Sequence, residues 1–207
     1  KEGVFHAMAV REMDPKWGIL VAFNVPILEE ARELIEKEKI PIISDNLIFR
    51  LFEKFRFYLD EYEKAVRTKL LEELILPAKI QVLSGYIFRR SKPAIVGVRV
   101  LAGKIKPRLP LMNSKGESLG TIKSIQSEGK SLNEATAGMD VAISITKGVV
   151  GKNIAEGEIL YTDLPEHIAR RIHRDSKLRK IISPDVLETF NEIVQIKRKI
   201  YGFTWGL

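Results

Sequence analysis

The chain has 207 residues and a net charge of +7, with 34 basic against 27 acidic side chains. Its 45% hydrophobic and 29% charged residues are typical of a globular protein and exclude a disordered or collagen-like chain. The absence of cysteine excludes a disulfide scaffold and a thiolate metal site and favours a cytoplasmic location, and no apolar run is long enough to predict a membrane helix.

The first part of the chain, residues 1–44, predicts an incomplete α/β domain. Residues 18–25 form a continuous apolar run, as in strands that are buried on both faces of a parallel sheet. Apolar side chains then recur at helical spacing from Ile27 to Ile35, and residues 39–43 predict a second strand. Because two parallel strands are too few for an independent sheet, we expect the C-terminal half of a larger α/β domain.

Residues 45–76 predict one long helix that links two domains. Asp45 is a candidate N-cap, and neither Gly nor Pro interrupts the pattern before Pro77. The first turns are aromatic, and the later turns are charged on nearly every side, as in helices that cross solvent between domains. The apolar stripe covers too few heptads to favour a coiled coil, and we expect a monomer.

Residues 77–162 predict a small antiparallel β-barrel, because short strand-forming runs alternate there with glycine. The predicted strands span residues 80–83, 86–89, 95–101, 119–126, 141–145 and 158–161. Residues 163–207 predict two closing helices, the first with a capping box from Asp163 to Glu166 and the second with Ser183 before Pro184. The predicted fold class is therefore multi-domain α/β plus all-β: a partial α/β sandwich, a long connecting helix, a small antiparallel barrel and two C-terminal helices.

The charge distribution favours a nucleic-acid partner. Between Leu74 and Gly116 there is no Asp or Glu, whereas nine Lys and Arg residues occur in this stretch. A solvated surface usually mixes both signs, so an acid-free stretch favours a phosphate backbone as its partner.

Motifs for catalysis or metal binding are weak. His167 and His173 are six residues apart, which is not the spacing of a helical metal pair. Residues 129–131, Gly-Lys-Ser, match the end of a phosphate-binding loop, but Ser124 stands where that motif needs its first glycine. We therefore expect no catalytic residue, no cofactor and no metal in this chain, and a binding role.

Several separated motifs resemble the last barrel domain of the archaeal and eukaryotic translation initiation factor 5B family, the relatives of bacterial initiation factor 2. They occur in order at residues 77–103, 120–126, 129–132, 137–145 and 156–161. The long helix and the sequence Phe203-Thr204-Trp205-Gly206 resemble the archaeal branch. The resemblance implies the C-terminal part of such a factor: residues 1–44 from its third domain, and a fourth domain whose barrel is similar to the second domain of elongation factors.

This resemblance also implies a function. The family consists of ribosome-dependent GTPases that promote subunit joining, and GTP and Mg would bind to domains of the intact factor that are not in this chain. Its fourth domain holds the methionylated 3′ end of initiator tRNA, and its terminal helices receive the C-terminal tail of initiation factor 1A. The expected partners are therefore the ribosome, initiator methionyl-tRNA and that tail.

The barrel supplies candidates for binding the tRNA acceptor end. A single-stranded end needs basic residues for its phosphates and an apolar or aromatic surface for its adenine and methionine. The candidates are Phe88, Arg89, Arg90, Ser91, Lys92, Gly97, Lys123, Lys130, Met139, Asp140 and Val141. Gly97 would permit close backbone approach. For Phe88 and Met139, a place in the barrel core is an equal alternative. We expect either Arg89 or Arg90 to form a structural salt bridge, because adjacent residues of a strand point to opposite faces.

The terminal helices supply candidates for a groove that binds an amphipathic peptide. These candidates are Ile168, Ile172, Leu178, Ile181, Phe190, Val194, Tyr201, Phe203 and Trp205. Most of them should pack in the core, and the aromatic end of the chain should be exposed.

Two alternatives remain open from the sequence. The chain could be an unrelated RNA-binding β-barrel module with a helical self-association arm. It could also be an enzyme whose site lies on the α/β part, although that part offers only Asn24, Ser44 and Asp45 as polar residues at strand ends.

Overall fold

The structure is a computed structural model that describes residues 2–207, so that Lys1, the first residue of the predicted α/β part, lies outside it. The chain forms two compact units, of which the first ends at Leu70 and the second runs from Leu71 to Leu207. None of the helices in residues 2–207 has the length and apolar character needed to cross a membrane.

The first unit contains a β-α-β arrangement, as predicted. Its elements are α1 (Glu2–Met13), β1 (Leu20–Phe23), α2 (Glu29–Glu38) and β2 (Ile42–Asp45). The two strands pair in parallel, with Leu20 opposite Ile42. Leu20 packs against a core formed by α1 and α2, whereas Val21 and Phe23 are exposed. The expectation that β1 is buried on both faces is therefore wrong, since alternate side chains of a strand point to opposite faces and only one face here meets the two helices.

Helix α3 (Ile48–Glu73) has 26 residues and is therefore about 39 Å long. Asp45 is the last residue of β2 and not the N-cap of this helix. Its carboxylate accepts a hydrogen bond from the Leu47 amide at 2.9 Å and forms an ion pair with Lys54 at 2.8 Å. These hydrogen bonds, first that from Lys54, lower the pKa of Asp45.

The second unit is built on short strands. They are β3 (Lys79–Arg89), β4 (Ala94–Ala102), β5 (Lys104–Ile105), β6 (Pro110–Met112), β7 (Ser118–Ser127), β8 (Lys130–Leu132), β9 (Ala135–Thr136), β10 (Asp140–Ile145) and β11 (Ile159–Thr162). Predicted strands 80–83 and 86–89 are one strand, whose pairing with β4 is irregular between Val82 and Ile87. Strands β5, β6, β8 and β9 were not predicted, because two or three residues are too few to show an alternating pattern.

The antiparallel pairings run around a ring, which confirms the predicted small barrel-like sheet. Strand β3 pairs with β4 and β11, β6 joins β11 to β7, and β10 pairs with both β4 and β7, while β8 extends the sheet at β7. The inside of the ring is filled by aliphatic side chains, among them Ile80, Leu111 and Ile143, which are completely buried. The ring therefore encloses a packed core, and binding must use its outer face.

Three helices follow the sheet where two were predicted: α4 (Glu166–Arg174), α5 (Ser176–Ile181) and α6 (Pro184–Tyr201). The predicted capping box is wrong, because Pro165 precedes α4 and the Asp163 carboxylate instead accepts a hydrogen bond from Lys197 of α6. Asp175 caps α5 by accepting hydrogen bonds from the amides of Lys177 and Leu178. Ser183 and Pro184 begin α6 as predicted.

A polar contact attaches α6 to the sheet. Glu192 accepts hydrogen bonds from Lys79 at 2.8 Å and from the Tyr161 hydroxyl at 2.7 Å. Burial raises the pKa of Tyr161, and the hydrogen bond to Glu192 raises it further. Burial also acts to raise the pKa of Glu192, but the hydrogen bonds from Lys79 and Tyr161 outweigh it, so this pKa is lowered. The charged carboxylate is therefore the form that holds α6 against β3 and β11.

Candidate nucleic-acid interface

The outer face of the sheet has a floor of small residues where β4, β10 and β7 lie side by side. Ala142 of β10 is opposite Gly97 of β4 and Gln126 of β7, and Ser144 of β10 is opposite Ile95 and Ser124. Positions that pair directly across strands share one face, so the small side chains lie together while Val141, Ile143 and Ile145 point into the core. We call Gly97, Ser124, Ala142 and Ser144 the small-residue floor.

An aromatic pair borders this floor on β3. Tyr86 is 56% exposed and Phe88 is 64% exposed, so Phe88 is not part of the barrel core. A Cβ atom on Gly97 would lie 2.6 Å from the Cβ of Tyr86. The absence of a side chain at Gly97 therefore allows Tyr86 itself to lie close, which corrects the expectation that Gly97 leaves room for a ligand. Tyr86 was not among the predicted site residues, although it begins the predicted strand 86–89.

Five exposed cations, which we call the basic cluster, lie on two adjacent loops beside the aromatic pair. Ser91 bridges Val149, and the Val150 amide donates to the Arg90 carbonyl at 2.9 Å, so residues 146–153 lie against residues 89–92. The basic cluster consists of Arg89, Arg90, Lys92, Lys147 and Lys152. None of these five forms an ion pair within residues 2–207. The structural salt bridge expected for Arg89 or Arg90 is therefore not found.

The cluster and the floor adjoin one another through the strand pairing. Arg89 is opposite Ile95 of β4, and Ile95 is opposite Ser144 of β10. Lys147 and Lys152 could not be chosen from the sequence, because the contact between residues 91 and 149 is made across the fold. Ser91 is half-buried at this contact, and Lys92 is exposed.

Other cations of the acid-free stretch are neutralised by acids that lie far away in the sequence. Lys79 pairs with Glu192 at 2.8 Å, Arg99 with Asp140 at 2.6 Å and Lys104 with Glu134 at 2.9 Å. The acid-free stretch is thus not uniformly cationic in three dimensions. Among the described residues, six cations of this stretch form no ion pair, and three of them, Arg89, Arg90 and Lys92, lie directly after the aromatic pair.

The acceptor-end candidates on β7, β8 and residues 139–141 are only partly available to a ligand. The Asp140 carboxylate accepts two hydrogen bonds from Arg99, at 2.7 Å and 2.6 Å; this hydrogen bonding lowers the pKa of Asp140 and raises that of Arg99. Val141 is buried core, and Met139 is half-buried against that core. Lys123 and Lys130 are exposed on β7 and β8. Asp140 is therefore bound by Arg99 within the protein, and among these candidates only the two lysines are available to bind phosphates.

Most of the nine candidates for the peptide groove are buried or half-buried, as expected, and two are exposed. Ile172, Leu178, Phe190 and Trp205 are buried, so they pack in the core. Ile168, Ile181 and Val194 are half-buried, whereas Tyr201 and Phe203 are exposed. Trp205 is only 7% exposed, which corrects the expectation of an exposed aromatic end. The chain turns back at Gly202 and Gly206, both at positive φ, and Arg198 donates to the Trp205 carbonyl at 3.0 Å.

The motifs considered for metal and phosphate binding do not form such sites in the described part of the chain. Within residues 2–207, His, Asp and Glu side chains form no group of three that could hold a metal ion. Gly129, Lys130 and Ser131 belong to the hairpin between β7 and β8, with Ser127 opposite Lys130, so they do not form the loop before a helix that binds phosphate.

The carboxyl ends of β1 and β2 carry the polar residues considered for an enzyme. Asn24, Ser44 and Asp45 line an open concavity of about 340 Å³. Asp45 is held by Lys54 and by the Leu47 amide, so it is not placed as a base for a substrate. The geometry therefore favours binding by the second unit over catalysis by the first.

Comparisons with known proteins find relatives over nearly the whole chain. A family model described as Elongation factor Tu domain 4 matches residues 76–161. The probable translation initiation factor IF-2 of Hyperthermus butylicus is 48% identical over 96% of this chain and 32% of its own length, and that of Ignicoccus hospitalis is 45% identical over 98% and 34%. The crystal structure of GDP-bound aIF5B from Aeropyrum pernix has a TM-score of 0.66 and 40% identity over 95% of this chain and 33% of that chain. The chain thus spans about a third of the length of these relatives.

Proposed function

Because the chain belongs to the archaeal translation initiation factor IF-2 family, also named aIF5B, and corresponds to its C-terminal part, we propose that its sheet unit binds the methionylated acceptor end of initiator tRNA. The unpaired basic cluster beside exposed Tyr86 and Phe88 is the observation that carries this proposal. Membership of this family removes the alternative of an unrelated RNA-binding module.

The proposed wider role follows from the family. The intact factor is a cytoplasmic, monomeric, ribosome-dependent GTPase that promotes subunit joining, with GTP and Mg bound outside this chain. In the proposed division, residues 1–44 belong to its third domain, residues 45–76 form the linking helix, and residues 77–162 with 163–207 form its fourth domain. The fourth domain then carries the tRNA-binding surface.

The outer face of the sheet has the chemistry that a single-stranded 3′ end requires. The basic cluster supplies positive charge for the phosphates, and its five cations need not first break ion pairs within residues 2–207. Exposed rings at Tyr86 and Phe88 supply stacking surfaces, and base stacking on such rings contributes about 1–3 kcal/mol per base. Gly97 and Ser144 of the small-residue floor are buried, so the terminal adenosine and the methionyl group are proposed to approach the half-buried Ser124 and Ala142, with the exposed Lys123 and Lys130 nearby on β7 and β8.

The direct test compares methionyl initiator tRNA with the same tRNA after deacylation, at two salt concentrations. We expect salt-sensitive binding that prefers the aminoacylated form, because the site holds both phosphates and the amino-acid end. Equal binding of the two forms would leave only a basic surface and would overturn the acceptor-end assignment.

The double variant Arg90→Gln/Lys92→Gln is expected to weaken tRNA binding. It should also make the negative slope of log affinity against log salt shallower by about 2, since it removes two phosphate contacts. Filter binding over a salt series measures this slope. Arg99→Gln/Lys104→Gln is the matched control, because both residues belong to the same acid-free stretch but pair with Asp140 and Glu134. An equal effect of the control would show that net charge, and not the basic cluster, controls binding.

The terminal helices are proposed to receive the tail of initiation factor 1A at the exposed rings of Tyr201 and Phe203. Phe203 is 77% exposed, and the Arg198 guanidinium lies 5.3 Å from its ring centroid, so this ring is presented at the end of α6. Buried Trp205 is excluded as a contact in this conformation.

Phe203→Ala is expected to weaken binding of the factor 1A tail peptide by about 1–2 kcal/mol, the loss typical of an aromatic anchor. Calorimetric titration of the peptide into the full chain measures the change. Phe57→Ala removes a similarly exposed ring from α3 and should leave the affinity unchanged. Unchanged affinity in Phe203→Ala would place the tail elsewhere.

A further inference from the structure

We propose that the exposed face of α4 and α5 binds the phosphate backbone of ribosomal RNA. This surface is separate from the acceptor-end site, because it is built by helices and not by the sheet and its loops. Its six cations, which we call the helical basic face, are Arg170, Arg171, Arg174, Lys177, Arg179 and Lys180.

The helical basic face is almost without acids. Asp175 is the only Asp or Glu between His167 and Pro184. Its carboxylate accepts hydrogen bonds from the Lys177 and Leu178 amides, at 2.9 Å and 3.0 Å, so it serves as the cap of α5 and forms no ion pair with a cation of this face. Positive charge therefore remains largely uncompensated here.

Most cations of the helical basic face are not used in ion pairs and are therefore available to a ligand. Arg170 pairs with Glu166 at 2.7 Å, and Arg174 donates to the Leu207 carbonyl at 3.3 Å. The other four cations, Arg171, Lys177, Arg179 and Lys180, form no ion pair within residues 2–207.

The opposite side of both helices is fixed to the core, so the cations are directed outward. Ala169 and Ile172 of α4 and Leu178 of α5 are completely buried. Arg170, Arg171 and Arg174 are three and four residues apart and so share one side of α4. The helices thus present charge on a surface whose position is set by packing.

An ordinary solvated helix of the same chain looks different. On α3, Lys64 pairs with Glu61 at 2.7 Å, and Glu63 pairs with Lys16 at 2.6 Å. The helix dipole favours the cations in the last turns of α4 and α5, and the cap Asp175 supplies the acid favoured at the start of α5. The dipole does not disfavour acids elsewhere on the exposed sides of these helices, so it does not account for the absence of paired acids there.

The chemistry of the face favours RNA over a peptide. A docked amphipathic peptide needs an exposed apolar groove, and the apolar residues Ile172 and Leu178 of these helices are completely buried. Four of the six cations are Arg, whose guanidinium can bind a phosphate with two parallel hydrogen bonds. Since a translation initiation factor works on the ribosome and the tRNA end is assigned to the sheet, ribosomal RNA is the polyanion that this face fits.

The test uses the full chain and its triple variant Arg171→Gln/Lys177→Gln/Lys180→Gln. The control variant Lys37→Gln/Lys69→Gln/Lys199→Gln removes the same charge from exposed positions outside α4 and α5. Binding to vacant ribosomes without tRNA is measured by co-sedimentation over a salt series, and binding to methionyl initiator tRNA by filter retention.

We expect the triple variant to bind vacant ribosomes at least about tenfold more weakly, with a salt slope that falls by about 2 to 3, and to bind methionyl-tRNA within about twofold of the original chain. Unchanged ribosome binding, or an equal loss in the control variant, would overturn the proposal. An equal loss of tRNA binding would assign the face to the tRNA stem. If the triple variant also binds ribosomal proteins freed of RNA more weakly than the original chain does, the helical basic face would be assigned to an acidic ribosomal protein. Failure of the acceptor-end proposal is separate, because it would appear as equal binding of charged and deacylated tRNA by the unaltered chain.

Discussion

Lys197→Met is expected to lower the free energy of unfolding of the second unit by about 3–5 kcal/mol, the usual cost of leaving a buried charge without its partner. Lys197 is only 6% exposed on α6, and its ammonium donates a hydrogen bond to the Asp163 carboxylate. Asp163 lies between β11 and α4, and its amide donates to the Pro110 carbonyl. The substitution leaves this carboxylate inside the contact between α6 and the sheet with no cation beside it.

Urea unfolding of the full chain, followed by tryptophan fluorescence, measures this loss. The chain has two tryptophans, one in each unit, so a Trp17→Phe background leaves Trp205 as the probe of the second unit. Lys64→Met is the control, since the Lys64–Glu61 pair is exposed and exposed pairs contribute about 0–1 kcal/mol.

The double variant Lys197→Met/Asp163→Leu separates loss of a partner from loss of packing. Replacing both members of a buried ion pair by apolar residues is often neutral, so most of the stability should return. A cost below about 1 kcal/mol in the single variant would show that the remaining carboxylate finds water or another partner.

The large elements of the fold were predictable because their patterns are long. The β-α-β order and the 26-residue helix follow from apolar spacing alone, and the Leu20–Ile42 pairing agrees with it. The short strands β5, β6, β8 and β9 were not, because their positions depend on pairing partners and not on local pattern. The capping box failed for a similar reason, since the carboxylate of Asp163 is used by Lys197, which is 34 residues away.

The sequence predicted the chemistry of the candidate site, which combines basic and aromatic side chains, but not all of its residues. A local run supplied Phe88, Arg89, Arg90 and Lys92, all of which are exposed. Lys147 and Lys152 join them only through the contact between Ser91 and Val149, which no sequence pattern indicates. Pairing across the fold also neutralises part of the acid-free stretch, because the acidic partners of Arg99 and Lys104 lie outside it in the sequence.

Gly97→Ala is expected to destabilise the second unit by about 1–3 kcal/mol and to weaken binding of methionyl initiator tRNA, because an added methyl group forces the aromatic pair to move. The new Cβ would lie 2.6 Å from the Cβ of Tyr86 and 3.3 Å from its Cγ. Tyr86 lies in the irregular stretch of the β3–β4 pairing and directly precedes Ile87, which is paired with Val96, so we expect a displaced Tyr86 to move the neighbouring Phe88 as well. Unfolding in urea and filter binding below the unfolding transition measure the two effects.

The pair of variants Tyr86→Gly and Gly97→Ala/Tyr86→Gly tests whether the contact with Tyr86 is the cause. Once Tyr86 has no Cβ, the methyl group at residue 97 has space, so Gly97→Ala should then lower the free energy of unfolding by less than about 0.5 kcal/mol. The difference between this cost and the cost in the original chain is the coupling energy, and residues in contact commonly have a coupling of about 0.5–3 kcal/mol. The double variant should therefore be nearly as stable as Tyr86→Gly alone, and tRNA binding should remain weak in both if the Tyr86 ring stacks on a base. An undiminished cost in the Tyr86→Gly background would place the strain elsewhere in β4. Recovery of tRNA binding together with stability would show that Gly97 matters only for folding and that Phe88 alone provides the stacking surface.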